Sequence, residues 1–431
     1  MRSTGRFTFG GVVAMAVGLL LTVAAEAGAQ GFYYKEIRKD DRIYVFNVAD
    51  HAARFEQTGE MGIGITRPGA GPNGETVVGD NERALQLFFF KHGLSEPVPE
   101  PPAPPPPAPA WRISGLVFGD YYYFSQHNDS KWDSQNGLWL RRAYFTYDHA
   151  FGRTVTTRLR FEANSNGKLA GGSLTPYLKD AYVRWTYSGR QQLTAGIQPT
   201  LSFDFVESFW GLRHIEKTAL DLYRWDSSRD FGVTASGPLN EAGTVRYAAQ
   251  FGNESGSNAE TDKFKALRLA ARYETPAGVS VEGYVSQFSR DKDADVLTAQ
   301  VFAGYRVKRG RIGAHYSYQK RQAAEGTTAP DVEQTLVSVF GVYDATPQKL
   351  SAFARLDFYT DPCPQCSGID YLPIDTSATF TTAIAGIEYY VNPSVRFSPN
   401  VEWVRYGTPA NAALSAPDDD LVARATFYWT W

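Results

Sequence analysis

Arginine residues recur at alternating positions in the second part of the chain, as in the pair Arg158 and Arg160 and the pair Arg268 and Arg272. The planar guanidinium group donates paired hydrogen bonds that match the oxygens of a phosphate or a carboxylate. Lysine, by contrast, falls mostly in predicted turns and loops. These residue types and this spacing indicate a surface that attracts anions.

The segments that carry the arginines alternate between apolar and polar residues, which is typical of a β-strand with one apolar and one wet face. In residues 153–164, for example, Leu159 and Phe161 lie on one side while Arg158, Arg160 and Glu162 lie on the other. A charge on a lipid face costs about 2–4 kcal/mol at the midplane. Because the apolar faces are nearly free of charge, we expect them to face lipid and the arginines to face water.

Sixteen such strands are predicted after residue 110, joined by connections that alternate between short and long. Outer-membrane barrels have this layout, with an even strand number, short periplasmic turns and longer outer loops. We predict an all-β membrane protein, a 16-stranded antiparallel transmembrane β-barrel over residues 111–431. The predicted strands cover residues 112–125, 138–149, 153–164, 177–187, 191–198, 229–237, 243–252, 265–274, 278–288, 296–307, 310–320, 334–344, 348–360, 379–391, 394–406 and 419–431.

The last predicted strand alternates up to Trp431, where a soluble domain would usually have a polar tail. We expect it to pair with the first strand, because closure removes both open edges. Its aromatic end is expected to join the aromatic girdle at the periplasmic interface.

The alternation assigns eleven arginines and eight acidic residues to the lumen. A pore selects ions through the charged side chains that line it, so the small basic excess favours anions. Salt bridges between neighbouring strands are the alternative role for any single arginine. The arginines are Arg142, Arg158, Arg160, Arg184, Arg246, Arg268, Arg272, Arg306, Arg355, Arg396 and Arg424; the acids are Asp148, Glu162, Asp180, Asp230, Glu282, Asp357, Glu388 and Glu402.

Two arginines, Arg141 and Arg405, fall on the apolar face. Both lie toward the loop end of their strands, where the penalty for a charge is smaller. They are expected to contact lipid phosphates of the outer leaflet; the alternative is a one-residue shift of register, as a β-bulge would cause.

The longest connection, residues 199–228, is expected to fold inward and constrict the lumen. Its aromatic side chains are expected to anchor it to the wall, while its cations face the permeating ion. It holds five acids against three firm cations, so weak or different selectivity stays open. The cations are Arg213, His214, Lys217 and Arg224; the aromatics are Phe203, Phe205, Phe209, Trp210, Tyr223 and Trp225.

Four short motifs resemble the phosphate-selective porin O and P family: LWLRRAYF at 138–145, RLRFE at 158–162, LKDAYV at 178–183 and LTAGIQ at 193–198. The resemblance covers about residues 111–431. It implies a homotrimeric outer-membrane channel for anions such as phosphate, whose constricting loop carries cations. Members usually end in phenylalanine, and this chain ends in Trp431 instead.

The part of the chain before the barrel divides into three segments. Residues 1–29 have the basic start, apolar run and small-residue end of a cleaved signal peptide, which implies export. Residues 30–96 predict a small periplasmic α+β domain, with a strand at 43–46, a helix at 49–57 and a second helix capped by Asn81. Residues 97–110 form a proline-rich linker that is expected to act as a stiff spacer.

The two cysteines, Cys363 and Cys366, are predicted to form a local disulfide in an outer loop. A zinc site would need further ligands, and a redox motif would need a thioredoxin-like context. The net charge of −3 argues against general nucleic-acid binding. No cofactor is implied, and no arrangement of catalytic residues predicts an enzyme.

The sequence therefore predicts an outer-membrane porin that passes small anions by passive diffusion. A general or organic-solute porin is the first alternative. The second is a structural envelope barrel that is tethered to peptidoglycan or to a periplasmic partner through residues 30–96.

Overall fold

The computed structural model describes residues 33–95, 110–164, 174–366 and 372–431, which fall into two compact units. The predicted signal peptide, residues 1–29, lies outside the described residues. So does the predicted proline-rich linker, residues 97–110, apart from its last residue. Among the described ranges, no helix is long and apolar enough to cross a membrane.

The first unit is a four-stranded sheet with a helix on each face. Strand β2 alternates, so Ile43 and Val45 pack in a cluster with the second helix while Phe46 packs with Phe55 of the first helix. The sheet order is β1-β2-β4-β3, with β2 and β4 parallel. The elements are β1 Lys35–Lys39, β2 Arg42–Phe46, α1 Ala49–Thr58, β3 Ile65–Arg67, β4 Thr76–Gly79 and α2 Glu82–His92.

Polar side chains fix the start of α2 and one edge of this unit. The Asn81 side chain accepts a hydrogen bond from the Ala84 N–H at 3.1 Å, so the predicted cap of α2 is confirmed. Burial alone would raise the pKa of the Glu36 carboxyl. Hydrogen bonds from Tyr34, Lys91 and His92 outweigh burial and hold that pKa below its ordinary value.

The second unit is a closed barrel of sixteen antiparallel strands, as predicted from the alternation. Each strand pairs with its neighbours in the chain, and the last strand pairs with the first. The strands are β5 Trp111–Gln126, β6 Asn136–Phe151, β7 Val155–Asn164, β8 Thr175–Ser188, β9 Gln191–Pro199, β10 Arg229–Pro238, β11 Val245–Gly252, β12 Ala266–Glu274, β13 Val279–Phe288, β14 Val296–Val307, β15 Gly310–Arg321, β16 Val332–Thr346, β17 Leu350–Tyr359, β18 Ala378–Asn392, β19 Val395–Pro409 and β20 Asp420–Thr430.

Strand β20 pairs with β5 and so closes the barrel; this junction is here called the seam. Glycine and aromatic residues pack against each other along it. Trp431 and Gly115 exchange backbone hydrogen bonds of 3.2 and 3.1 Å, which extends the ladder to the last residue. The Trp431 ring lies over Gly115, and the Phe427 ring lies over Gly119. A Cβ atom at Gly115 would overlap the indole ring, so only glycine lets the ring lie flat across the seam.

A β-bulge between β5 and β6 changes which side chains of β6 face inward. Between β5 and β6, Phe118 pairs with Arg142 and Gly119 with Leu140, so Arg141 is the extra residue. The prediction that Arg141 faces lipid is therefore wrong. Its buried side chain forms an ion pair with Asp120 at 2.6 Å, and the alternative of a register shift holds. Arg405, in contrast, lies exposed on the outward face of β19.

Candidate functional site

The connection between β9 and β10 packs inside the barrel. It carries two short helices, α3 Asp204–Trp210 and α4 Ala219–Leu222. The Trp210 side chain is fully buried, with its ring 5.2 Å from that of Phe340 and 6.1 Å from that of Phe353. These phenylalanines face inward from β16 and β17, so one side of the lumen wall is apolar where the loop covers it.

Polar contacts hold the loop at several points around the lumen. Glu216 of the loop accepts a hydrogen bond from Arg424 of β20 at 3.2 Å, and Arg141 donates to the Ile215 carbonyl at 3.0 Å. On the other side, Asp226 pairs with Arg268 of β12 at 2.8 Å. These contacts fix the loop to opposite sides of the barrel wall. The lumen is open only in the space beside the loop.

A cavity of about 350 Å³ separates the loop from the wall formed by β5–β8, β10, β19 and β20. Its lining contains six arginine or lysine side chains and three acids. The cations are Arg142, Arg160, Lys179, Arg213, Arg229 and Arg396; the acids are Asp204, Glu207 and Asp221; Phe118, Tyr144, His214 and Tyr428 also contribute.

On the wall side of this cavity, four cations share two buried carboxylates. Glu162 pairs with Arg142 at 2.8 Å and with Lys179 at 2.7 Å. Asp180 pairs with Arg160 at 3.2 Å and also with Arg229. Both carboxylates are fully buried behind the cations. These four cations and two carboxylates, here together called the basic wall, therefore carry a formal charge of +2.

The loop side of the cavity carries the opposite balance. Arg213 pairs with Glu207 at 2.9 Å and approaches Asp221 at 3.5 Å, while Lys217 pairs with Asp221 at 3.1 Å. Asp204 also lines the cavity. Three acids against two cations give the loop side a formal charge of −1. A field therefore crosses the cavity from the basic wall toward the loop.

A second cavity of about 310 Å³ lies on the same wall toward the short-turn end of the barrel. Its lining includes Arg112, Arg158 and Arg184 with the single acid Asp148. Arg158 and Asp148 form a bidentate pair, with nitrogen–oxygen distances of 2.7 and 3.0 Å. Further cations therefore line the same strands between the basic wall and the short-turn end of the barrel.

Four other arginines chosen from the sequence hold the loop or stack on it. Arg268 and Arg355 have almost no exposed side-chain surface; two buried aspartates pair with Arg268, and one pairs with Arg355. Arg272 lies 4.6 Å above the Phe205 ring, and Arg306 lies 4.1 Å above the Phe209 ring. All four contact the loop. Of the loop cations, Arg213 and His214 line the cavity, whereas Lys217 does not and Arg224 is exposed.

Sequence reasoning missed two members of the basic wall. Lys179 is the extra residue of the β7–β8 bulge, where Arg160 pairs with Asp180 and Phe161 with Leu178. Strict alternation would give it the opposite face from Asp180. Arg229 is the first residue of β10 and would face outward with Phe231 by parity, yet its side chain reaches Asp180. Their carboxylate partners were the only signal in the sequence.

A second inward-folded segment lies between β17 and β18. A disulfide joins Cys363 and Cys366, whose Cα atoms are 5.3 Å apart. Leu372 and Ile374 pack in one apolar cluster with Leu220 and Tyr223 of the loop. Within the described ranges, no three His, Cys, Asp or Glu side chains are grouped in a way that could hold a metal ion.

Comparison with known proteins relates this chain to others through its fold alone. No family model matches it, and no curated protein matches its sequence. An anion-selective porin from Comamonas acidovorans has a TM-score of 0.55 at 11% identity, over 74% of this chain and 99% of that one. The trimer form of in-vitro folded OmpT from Vibrio cholerae gives 0.52 at 14%, over 74% and 99%. OmpF of Salmonella typhi, in complex with daunomycin, gives 0.54 at 14%, over 74% and 97%.

The fold that these observations define is a closed 16-stranded antiparallel transmembrane β-barrel, and it is similar to the fold of the outer-membrane porins named above. The aligned part is 74% of this chain and 97–99% of each of these structures.

Proposed function

We propose that this protein is a porin of the bacterial outer membrane that passes small anions by passive diffusion. The observation that carries the proposal is the basic wall, in which four cations share two buried carboxylates. Its charge of +2 faces a cavity beside the constricting loop. Guanidinium groups aimed at that cavity offer paired donors to the oxygens of phosphate or of a carboxylate.

Several features support a path rather than a closed binding site. The second cavity continues the cations toward the short-turn end. Conduction requires sites that attract an ion but release it readily. Every cation of the basic wall already has a carboxylate partner, so it holds an anion only weakly. In this proposal Arg142, Arg158, Arg160 and Arg184 lie along the anion path, while Arg268, Arg272, Arg306 and Arg355 position the loop.

A weakly selective general porin is the second candidate, and the loop supports it. Asp204, Glu207 and Asp221 face the basic wall across the cavity. A field across the lumen orders dipolar solutes and admits ions of both signs along opposite sides. Phosphate preference therefore depends on whether the basic wall outweighs the three acids.

The assembly and location belong to the same proposal. We infer a homotrimer, as in the trimer form of the structurally similar OmpT, and export by a cleaved signal peptide. Residues 30–96 would then lie in the periplasm, joined to the barrel by the proline-rich linker. We propose that this four-stranded unit binds peptidoglycan or a periplasmic partner.

The test is conductance of the purified full chain in a planar bilayer under a potassium chloride gradient. A reversal potential on the chloride side, with block by added phosphate, supports the anion path. A near-neutral potential that is indifferent to phosphate favours the general porin. Absence of conductance would leave the structural envelope barrel, and capture of the chain on peptidoglycan sacculi would test that role.

A further inference from the structure

Arg405 is an outward-facing cation at the long-loop end of the barrel. Strand β19 points Val395, Phe397, Val401 and Trp403 outward, and all are apolar and exposed. Arg405 continues this face and is also exposed. A guanidinium group on the lipid face destabilises a barrel by an amount that depends on its depth in the bilayer. The destabilisation is about 2–4 kcal/mol at the midplane and about 0–1 kcal/mol at the interface.

The depth of Arg405 follows from the register of its strand. Arg405 is ten residues after Val395, the first residue of β19. A rise of about 3.4 Å per residue and a tilt of about 40° place it about 26 Å along the barrel axis. The apolar band of such barrels is about 25 Å tall. Arg405 therefore lies at the rim of the band on the long-loop side, at the level of lipid head groups.

No acid among the described residues forms an ion pair with this cation; Asp419, beside it, accepts hydrogen bonds from Trp403 Nε1 at 3.1 Å and from the Tyr406 N–H at 3.2 Å. Within the described residues, Arg405 forms no ion pair or hydrogen bond, and its guanidinium group lies 6.0 Å from the centre of the Trp403 ring. Lys320, at the long-loop end of β15, is different because it pairs with Asp331 at 3.0 Å and with Glu333 at 3.2 Å. The charge of Arg405 is thus available to a group outside the protein.

A groove of about 420 Å³ lies beside Arg405 and adds hydroxyl groups to the charge. Arg405 is directly opposite Thr381 of β18, and Thr381 is opposite Phe358 of β17. Thr379 lines the same groove; its hydroxyl accepts the Thr408 N–H at 2.9 Å and keeps its own hydrogen to donate. Within the described chain the Thr381 hydroxyl has no hydrogen-bond partner.

The floor of the groove is kept open by glycine. A Cβ atom at Gly407 would come within 2.5 Å of the Thr379 hydroxyl oxygen. The strand is irregular here, since Ala378 pairs with Pro409 but Phe380 pairs with Tyr406. The bulge and the missing side chain together expose the hydroxyl beside an otherwise apolar surface.

We infer that Arg405, Thr381 and Thr379 bind a phosphate group carried by a lipid of the outer leaflet, whose acyl chain follows the apolar face of β19. The charge is complementary, and three donors converge on one groove. The apolar neighbours select a lipid-borne phosphate over a free one. The inference needs the outer-membrane location proposed above but not anion conduction.

The test uses the full chain in detergent and titrates bisphosphorylated lipid A, followed by native mass spectrometry. Removing one charge-assisted contact is worth about 1.5 kcal/mol or more, so Arg405→Gln should weaken binding about tenfold. Arg309→Gln, in a turn at the opposite end, is the matched control and should leave binding unchanged. Fully dephosphorylated lipid A should bind both variants and the native chain equally weakly.

Equal binding of lipid A by the native chain and Arg405→Gln would overturn the inference, as would an equal loss in Arg309→Gln. Thr381→Val is a second test, which removes a hydroxyl group but keeps the charge of Arg405. It should weaken binding of bisphosphorylated lipid A and leave binding of dephosphorylated lipid A unchanged. Reversal potentials of Arg405→Gln should match those of the native barrel, so failure of this inference is distinguishable from failure of the proposed conduction.

Discussion

Substituting Arg142 and Arg229 together by glutamine tests whether the basic wall attracts anions. The double substitution leaves each buried carboxylate with one cationic partner. Glu162 keeps Lys179 at 2.7 Å, and Asp180 keeps Arg160 at 3.2 Å. Removing the only partner of a buried carboxylate would cost about 3–5 kcal/mol, but here each carboxylate retains one. The formal charge of the wall falls from +2 to 0, because two cations then face two carboxylates.

The size of the effect follows from the charge removed. At about 8 Å, a unit charge contributes about 0.5 kcal/mol at the dielectric constant of water. Two charges contribute about 1 kcal/mol, and a Debye length of about 10 Å at 0.1 M salt reduces this to about 0.45 kcal/mol. Anion entry therefore falls about twofold and cation entry rises about twofold. The chloride-to-potassium permeability ratio should drop about four- to fivefold.

The assay is the reversal potential of the double variant at 0.1 M and at 1 M potassium chloride. At 1 M the Debye length is about 3 Å, so the difference from the native barrel should almost vanish. Arg153→Gln with Arg309→Gln removes the same two charges from turns at the end of the barrel and should change the ratio little. An unchanged ratio at 0.1 M, or equal changes in both double variants, would refute the assignment of selectivity to the basic wall.

Three further changes test the loop, the seam and the first unit. Trp210→Ala should weaken loop docking by about 3–5 kcal/mol, giving faster protease cleavage within residues 200–228 and noisier conductance; unchanged cleavage would contradict the packing described. Gly115→Val should collide with the Trp431 ring and slow formation of the compact band on unheated gels, whereas normal folding would show that the seam tolerates a side chain. Glu36 has a lowered pKa, so its contribution to stability is present above about pH 5 and is lost as the pH falls through that pKa. Glu36→Gln should remove this dependence from the hydrogen-exchange protection of β1, and a persistent pH dependence would assign it to another group.

The barrel could be predicted because lipid imposes one rule on every strand. Outward positions within the lipid band are nearly all apolar, so alternation in segments such as residues 153–164 reveals both the strand and its face. The even strand count and the alternating loop lengths then gave the topology, and all sixteen predicted strands overlap observed ones. Closure by β20 followed from the need to remove edges.

The site could be predicted only in part, because parity fails where a strand bulges. One extra residue in β6 turns Arg141 inward, and one in β8 brings Lys179 beside Asp180. Nothing local in either strand marks the bulge. The sequence predicted that the loop aromatics anchor it to the wall, but not their partners there, because Phe340 and Phe353 face a lumen that alternation alone would fill with water. Their apolar side chains on the lumen face are explained only by their packing against the aromatic side chains of the loop.

Buried carboxylates behind surface cations provide a way to attract ions without trapping them. A fully unpaired guanidinium group in a narrow lumen would hold phosphate tightly, and a fully paired one would not attract it. In the basic wall, Glu162 and Asp180 each serve two cations, so each cation retains about half of its charge toward the cavity. The same carboxylates fix the guanidinium groups in place, so little side-chain entropy is lost when an anion passes. Four half-compensated donors in a row offer several weak sites in succession, which is the arrangement that conduction requires.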